Sequence, residues 1–288
     1  MGASAPQRRR GGSPGDPRAP AAMRRLVPGV VLLLLAAPAA AETRQLHGIK
    51  GDQDQRVRMV AQEFPWSAMG RLNFFSGHCS ASLIGPRLIA TAAHCLWNRR
   101  TQKPFPASSF TFVAGWDRGE YLRASKVTAI HAAPKWVLDG ESRGLNSRAD
   151  DWALMELEEP LGDEIGWIAL GAPQAGMRVA VAGYGRDKAQ VPLAHVGCRL
   201  TRQALPGVFI HDCDAVQGES GGPVLGWSEG ELRLVAINVA VIPSQGEAGV
   251  AAAVDALRPL ALRLGAATST RAGPVSKPAG MDLSQSLR

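Results

Sequence analysis

The amino-acid sequence predicts an all-β fold, two β-barrels followed by a C-terminal helix. After residue 41 most of the chain consists of short apolar or alternating stretches punctuated by Gly and Pro. These stretches fall into two groups of about six with no strand–helix alternation, a pattern of barrels rather than of an α/β chain. Composition permits this: the 288 residues are 45% apolar and 20% charged, ordinary values with room for one large core or two smaller ones.

The leader comes first. Residues 1–22 are rich in Arg, Gly and Pro and show no apolar periodicity, so Met23 is a candidate start. Arg24 and Arg25 then precede an apolar run, Leu26 to Leu35, and the small-residue stretch Ala36 to Ala41. That order is a secretory signal, with cleavage expected between Ala41 and Glu42. The apolar run is shorter than the ~20 residues a membrane span needs, and Pro28 and Pro38 bracket it. The mature chain is therefore expected to be secreted or periplasmic, without a membrane anchor. Charge supports no acidic macromolecule as partner: of the formal +7, residues 1–41 supply +5 (six Arg, one Asp), leaving +2. Nucleic-acid binding is not expected.

The expected mature domain spans 42–265 and divides near 160–176. In its first half, Ser67 to Phe74, His78 to Ile84, Arg87 to Ala92, Phe110 to Trp116, Ala124 to Ile130 and Trp152 to Leu157 read as strands, with Gly85-Pro86 turning the second into the third. In the second half the strands are Met177 to Tyr184, His195 to Thr201, Val208 to Asp212, Pro223 to Trp227 and Leu232 to Ile242. Val254 to Leu264 has helical spacing interrupted by Pro259. Residues 266–288 turn to Ala, Ser, Thr, Pro and Gly and are expected to be disordered.

Four cysteines, Cys79, Cys95, Cys198 and Cys213, form an even set in an exported chain, which points to disulfides. Three pairings are open; proximity favours Cys79 with Cys95 and Cys198 with Cys213. A zinc site with His78 or His94 is the rival, but no C-x-x-C or closely spaced His pair supports it. No metal or cofactor is expected.

Three motifs carry chemistry: TAAHC (Thr91 to Cys95), DDWALMEL (Asp150 to Leu157) and GESGGP (Gly218 to Pro223). A serine hydroxyl is a weak nucleophile unless an imidazole takes its proton and later returns it to the leaving group. A buried carboxylate on the far ring nitrogen fixes the tautomer of that imidazole. Glycines let the backbone turn sharply, so that the amides of Gly218 and Ser220 can face a developing oxyanion. The chain order His94, Asp151, Ser220 differs from the Ser, Asp, His order of α/β-hydrolases and the Asp, His, Ser order of subtilisin.

With these motifs the chain resembles the trypsin/chymotrypsin family of serine proteases, over about Arg56 to Leu264. The resemblance implies two perpendicular six-stranded Greek-key barrels with His94, Asp151 and Ser220 as a triad in the cleft between them. It implies Cys79–Cys95 as a staple of the histidine loop, and Asp151 rather than Asp150 as the carboxylate, because it directly precedes the apolar strand. FPWSAMGRL (Phe64 to Leu72), HDCD (His211 to Asp214) and VAIN (Val235 to Asn238) are similar to the bacterial branch containing glutamyl endopeptidases. The sequence departs from the family in having no I-V-G-G-like new N-terminus, Ile49-Lys50-Gly51 being a poor match. Glu219 stands where trypsin-type zymogens carry the Asp that receives the freed amine, so activation by one tryptic cut is not expected. Asn238 replaces the histidine by which glutamyl endopeptidases bind a carboxylate, and Asp214, six residues before Ser220, is a candidate pocket base for Lys or Arg. The expected function is a monomeric serine endopeptidase acting on proteins or peptides. A catalytically silent homologue used for binding, or an esterase, is the alternative.

Overall fold

The computed structural model describes residues 46–288 except 76, 137–143 and 279; the expected leader, 1–41, lies outside the described residues. Twelve strands form two closed antiparallel barrels. The first contains β1 (Met69–Phe74), β2 (Gly77–Leu83), β3 (Leu88–Thr91), β4 (Thr111–Ala114), β5 (Arg123–Ala132) and β6 (Ala153–Leu157), in the cyclic order β1-β2-β3-β6-β5-β4. The second contains β7 (Arg178–Gly183), β8 (Leu193–Leu205), β9 (Val208–His211), β10 (Pro223–Ser228), β11 (Glu231–Ile242) and β12 (Ala248–Ala253). Its order, β7-β8-β9-β12-β11-β10, repeats the topology of the first, and the short strand Val57–Arg58 adds to the free edge of β8.

Burial explains why these stretches close into barrels. Strands β2 and β3 are buried along nearly their whole length, and Phe74, Phe105 and Phe110 meet at ring centroid distances of 5.3–5.9 Å. Such clusters contribute through area removed from water and tilted ring contacts. The second barrel encloses smaller side chains, among them Val179, Val181, Val224, Val235 and Ala251. In the chain between the two barrels comes the short helix α1 (Leu161–Ile165), which periodicity alone did not indicate.

Two expectations at the C-terminal end are corrected. Helix α2 runs Arg258–Arg263 rather than from Val254, because Pro259 is accommodated in the first turn, where its missing N–H leaves no bond unmade. The described residues of 266–288 are not a disordered tail. Ala267 donates to the Ile84 carbonyl (2.8 Å), Arg271–Ala272 pairs with Gly166–Trp167, and the Ser276 hydroxyl reaches Ser67 and the Ile165 carbonyl. Helix α3 (Leu283–Leu287) then buries Leu283 and Leu287 against the second barrel. Composition registers only what a segment can bury by itself, and this one borrows partners from both barrels.

Leu287 is 3% exposed, so Leu287→Ala should lower unfolding free energy by about 2–4 kcal/mol. Urea denaturation of the full chain measures it; an unchanged midpoint would mean that the segment is not part of the cooperative fold.

Candidate active site

The loop between β9 and β10 carries Ser220, and its position is set by contacts on both sides. The Ser80 amide of β2 donates to the Ser220 carbonyl (2.8 Å). Gly221, at φ +81°, would place a Cβ 2.1 Å from the Thr91 hydroxyl and 2.3 Å from the Ser80 carbonyl, so only glycine fits between the loop and the first barrel. From the second barrel, Asn238 on β11 donates and accepts backbone bonds with Gly222 and Gly221, at 3.0 and 2.8 Å. The Ser80 hydroxyl adds a bond to the Gly218 carbonyl (3.2 Å) and accepts from the Tyr184 amide (2.9 Å). A half-turn after β3 (Ala93–Leu96) carries His94 to the same place, where Cys95 Sγ lies 4.0 Å from the Ser220 carbonyl oxygen. Both disulfides form as proximity favoured, Cys79–Cys95 and Cys198–Cys213.

Asp151, not Asp150, meets His94. Its carboxylate is fully buried and lies 2.9 and 3.1 Å from His94 Nδ1, and one oxygen also accepts the His94 amide (2.9 Å). Arg148, three residues earlier, donates to the other oxygen at 2.9 Å. Burial opposes the Asp151 charge, but the contacts to His94 and Arg148 outweigh it and hold the carboxyl below its ordinary range. A carboxylate only accepts, so His94 Nδ1 is the donor; in the neutral ring this leaves Nε2 as a proton acceptor.

Backbone polarity around Ser220 follows from peptide planarity. The Gln217 carbonyl accepts the Arg186 amide (2.7 Å), so the Gly218 N–H of the same trans peptide points the other way. The Glu219 carbonyl accepts from Gly222 N–H and Asn238 Nδ2, which likewise turns the Ser220 N–H away. Among the described residues, the amides of Glu219, Gly221 and Gly222 have protein acceptors, whereas those of Gly218 and Ser220 have none. Two N–H groups, separated by one residue, are thus left without a protein acceptor among the described residues.

Beneath the loop lies a buried cation that no motif announced. The Arg56 side chain is fully buried and pairs with Glu219 (2.6 Å), Asp187 (2.7 Å) and Asp54 (2.9 Å). Burial opposes the Arg56 charge, but its three carboxylate partners overcome this and hold it protonated. For Glu219 the tendency runs the other way: burial pushes its carboxyl up to about 7 against the pull of Arg56. Both Glu219 oxygens accept N–H bonds, from Arg56 and from the Val216 amide (3.0 Å), and the ionised form is the one this arrangement fits.

Known proteins share this fold and part of this sequence. The family model described as Trypsin matches residues 55–261. The chain belongs to the trypsin family. It is 26% identical over 176 residues to the glutamyl endopeptidase of Bacillus licheniformis, covering 59% of this chain and 52% of that one. It is 27% identical over 216 residues to venom serine protease 34 of Apis mellifera, covering 65% and 51%. The chain thus spans about half the length of these curated relatives. A solved Glu endopeptidase, in complex with MPD, superposes with a TM-score of 0.63 at 18% identity over 75% of this chain and 98% of that one, a likeness of fold.

For a trypsin-family chain the two expected specificity residues are placed unexpectedly. Asp214 is buried, and its oxygens accept the amides of Lys50 (2.9 Å) and Gln55 (2.8 Å), so it offers no free carboxylate to a basic substrate. Asn238 is also committed: Nδ2 donates to the Glu219 carbonyl, and Oδ1 accepts from His211, whose pKa burial brings down to about 3. Both residues hold the nucleophile loop and the N-terminal segment in place. Sequence reasoning missed Arg56, Asp54, Asp187, Arg148 and Ser80. Arg148 had a local signal, its three-residue spacing from Asp151, and Asp54 lies two residues from Arg56; the partners Asp187 and Glu219 lie 131 and 163 residues from Arg56 and had none. Among the described residues two clusters of metal-ligating side chains occur, around His94 and around Asp212, and each includes disulfide sulfurs, which are not thiolates.

Asp54 gives a test in acid. Burial alone would raise its carboxyl, but the Arg56 hydrogen bonds and charge, with Lys188, bring it from 3.8 to about 2. A depressed carboxyl stabilises the fold above its unfolded value and loses that contribution as pH falls through the folded one. The stability gap between wild type and Asp54→Asn should therefore be full above about pH 5 and close as pH falls toward about 2. Denaturant unfolding at several pH values checks it, and a gap independent of pH would contradict it.

Proposed function

We propose that this chain is a serine endopeptidase that cleaves peptide bonds through an acyl-enzyme, with Ser220 as nucleophile, His94 as general base and acid, and Asp151 as its orienting carboxylate. The observation that carries this reading is the bond from His94 Nδ1 to the buried Asp151, on a turn whose next residue touches the Ser220 carbonyl. His94 Nε2 takes the Ser220 hydroxyl proton as Oγ attacks the scissile carbonyl, and the imidazolium gives it to the leaving amine. The carbonyl oxygen becomes an oxyanion facing the amides of Gly218 and Ser220. Water then attacks the ester with the same histidine as base. These steps call on no metal or cofactor.

Export of the mature protein through the leader is part of the same reading; two disulfides suit an oxidising compartment. Against a silent binding homologue stands the retention of Ser220, His94 and Asp151 in one chain, with His94 bonded to Asp151. An esterase would use the same groups, and comparing amide with ester substrates separates the two. With both Asp214 oxygens engaged by backbone amides, no strong preference for Lys or Arg is expected.

Replacing Ser220 or His94 by Ala should each reduce turnover on a peptide substrate on the order of a millionfold, and the double variant should lose little more. Additive losses would mean that the two side chains do not act as one unit.

Arg56 fills the role of internal counterion to Glu219 and holds the oxyanion amides without a freed N-terminus. Arg56→Met leaves a buried carboxylate unpaired and should cost about 3–5 kcal/mol of stability. The double variant Arg56→Met/Glu219→Gln should recover the part of that stability owed to Glu219, with Asp54 and Asp187 still lacking their partner, while kcat stays about a hundredfold low. Full activity in the double variant would remove Arg56 from this role.

A further inference from the structure

One concave site lies outside the machinery above. Arg178 at the start of β7, Arg199 on β8 and Arg288 at the end of α3 ring a cavity of about 580 Å³ whose walls include Met177, Trp227 and Leu287. Neither His94 nor Ser220 lines it. Arg178 and Arg199 are direct cross-strand partners, an arrangement in which like charges repel and destabilise the sheet. Among the described residues, none of the three guanidinium groups lies within ion-pair reach of a carboxylate. Asp212, the nearby acid, accepts the Arg199 backbone amide (2.6 Å), and the Arg199 side chain spends one donor on the Gly176 carbonyl (2.9 Å). Arg288 stacks on the Trp227 ring with its guanidinium carbon 4.4 Å from the centroid, which fixes the charge over the cavity rim.

Arg178 and Arg199, exposed and opposed across a strand pair, with Arg288 at the rim sharing its charge only at longer range with Asp282, make a site that an anion would relieve. The aromatic and thioether walls add a preference for an anion carried on an apolar stem over a bare inorganic one. We propose that this cavity is an exosite for an acidic peptide segment, taking its Glu or Asp carboxylates between Arg178, Arg199 and Arg288 and their methylenes against Trp227 and Met177. The site sits at the far end of β7 from the Ser220 loop: five strand steps, about 17 Å, separate Arg178 from Gly183, after which Arg186 binds the Gln217 carbonyl. If the protease reading holds, substrates carrying an acidic stretch away from the scissile bond are captured here; binding itself does not depend on that reading.

The test is direct binding of an acetylated, amidated tetraglutamate peptide to full-length Ser220→Ala protein at low salt, followed by calorimetry and by thermal shift. Saturable binding is expected, weakened about tenfold or more in Arg178→Gln/Arg199→Gln. Without peptide, that double variant should be as stable as its parent or more so, because a like-charge pair has been removed. Tetraglutamine should not bind. Equal affinity in parent and variant, no saturation at millimolar peptide, or sulfate binding as tightly as tetraglutamate would each overturn the proposal. Because Ser220→Ala serves throughout, failure here is separable from failure of the catalytic assignment, which the turnover of the wild type decides.

Discussion

Gly221 has no room for a side chain, and the reason is the first barrel: the Thr91 hydroxyl, the Ser80 carbonyl and the Ala92 amide occupy the space a Cβ would need. This close approach of a second-barrel loop to β2 and to the end of β3 is the constraint on which the site depends. The Ser80–Ser220 backbone bond, the Ser80 hydroxyl bridge between Gly218 and Tyr184, and the Cys79–Cys95 staple all lie within the same seam. Backbone meeting backbone, with the Ser80 and Thr91 hydroxyls and the disulfide locked around it, fixes the position of one barrel's loop against the other more tightly than free side-chain rotamers would.

Charge is distributed around that seam in two buried clusters with different tasks. Asp151 is held ionised by N–H donors, two from His94 and one from Arg148, and this fixes the ring orientation that leaves Nε2 to accept a proton. Arg56 is surrounded by three carboxylates and fixes the loop through Glu219 rather than acting on any ligand. Lone buried charges would cost several kcal/mol each; both clusters meet that cost with short, geometrically complementary bonds. The N-terminal segment is bound into this arrangement, since Asp214 caps the Lys50 and Gln55 amides on either side of the turn that leads to Arg56.

Much of the fold could be read from the sequence because strand periodicity and turn residues are local. What could not be read was non-local or chemically quiet. Strand β12 (AGVAAA) has almost no β-propensity, yet it pairs on both edges, and Gly249 is small because the His211 ring packs against it. The segment 266–288 lacks an apolar run and is ordered by bonds to residues 100 to more than 200 positions away. The His94, Asp151 and Ser220 motifs stand out in the sequence as rare residue contexts, and of these the structure joins His94 to Asp151 by a hydrogen bond. The same reasoning misjudged Asp214 and Asn238: a position relative to Ser220 fixes where the backbone runs but not which groups claim a carboxylate.

The central claim is that folding makes Ser220 a nucleophile through His94. Intact-mass and peptide mapping after treatment with a fluorophosphonate measures this most directly. One adduct per chain is expected, on Ser220, absent in natively folded His94→Ala protein. A folded wild-type chain that stays unmodified, or that is modified elsewhere at the same rate, would contradict it.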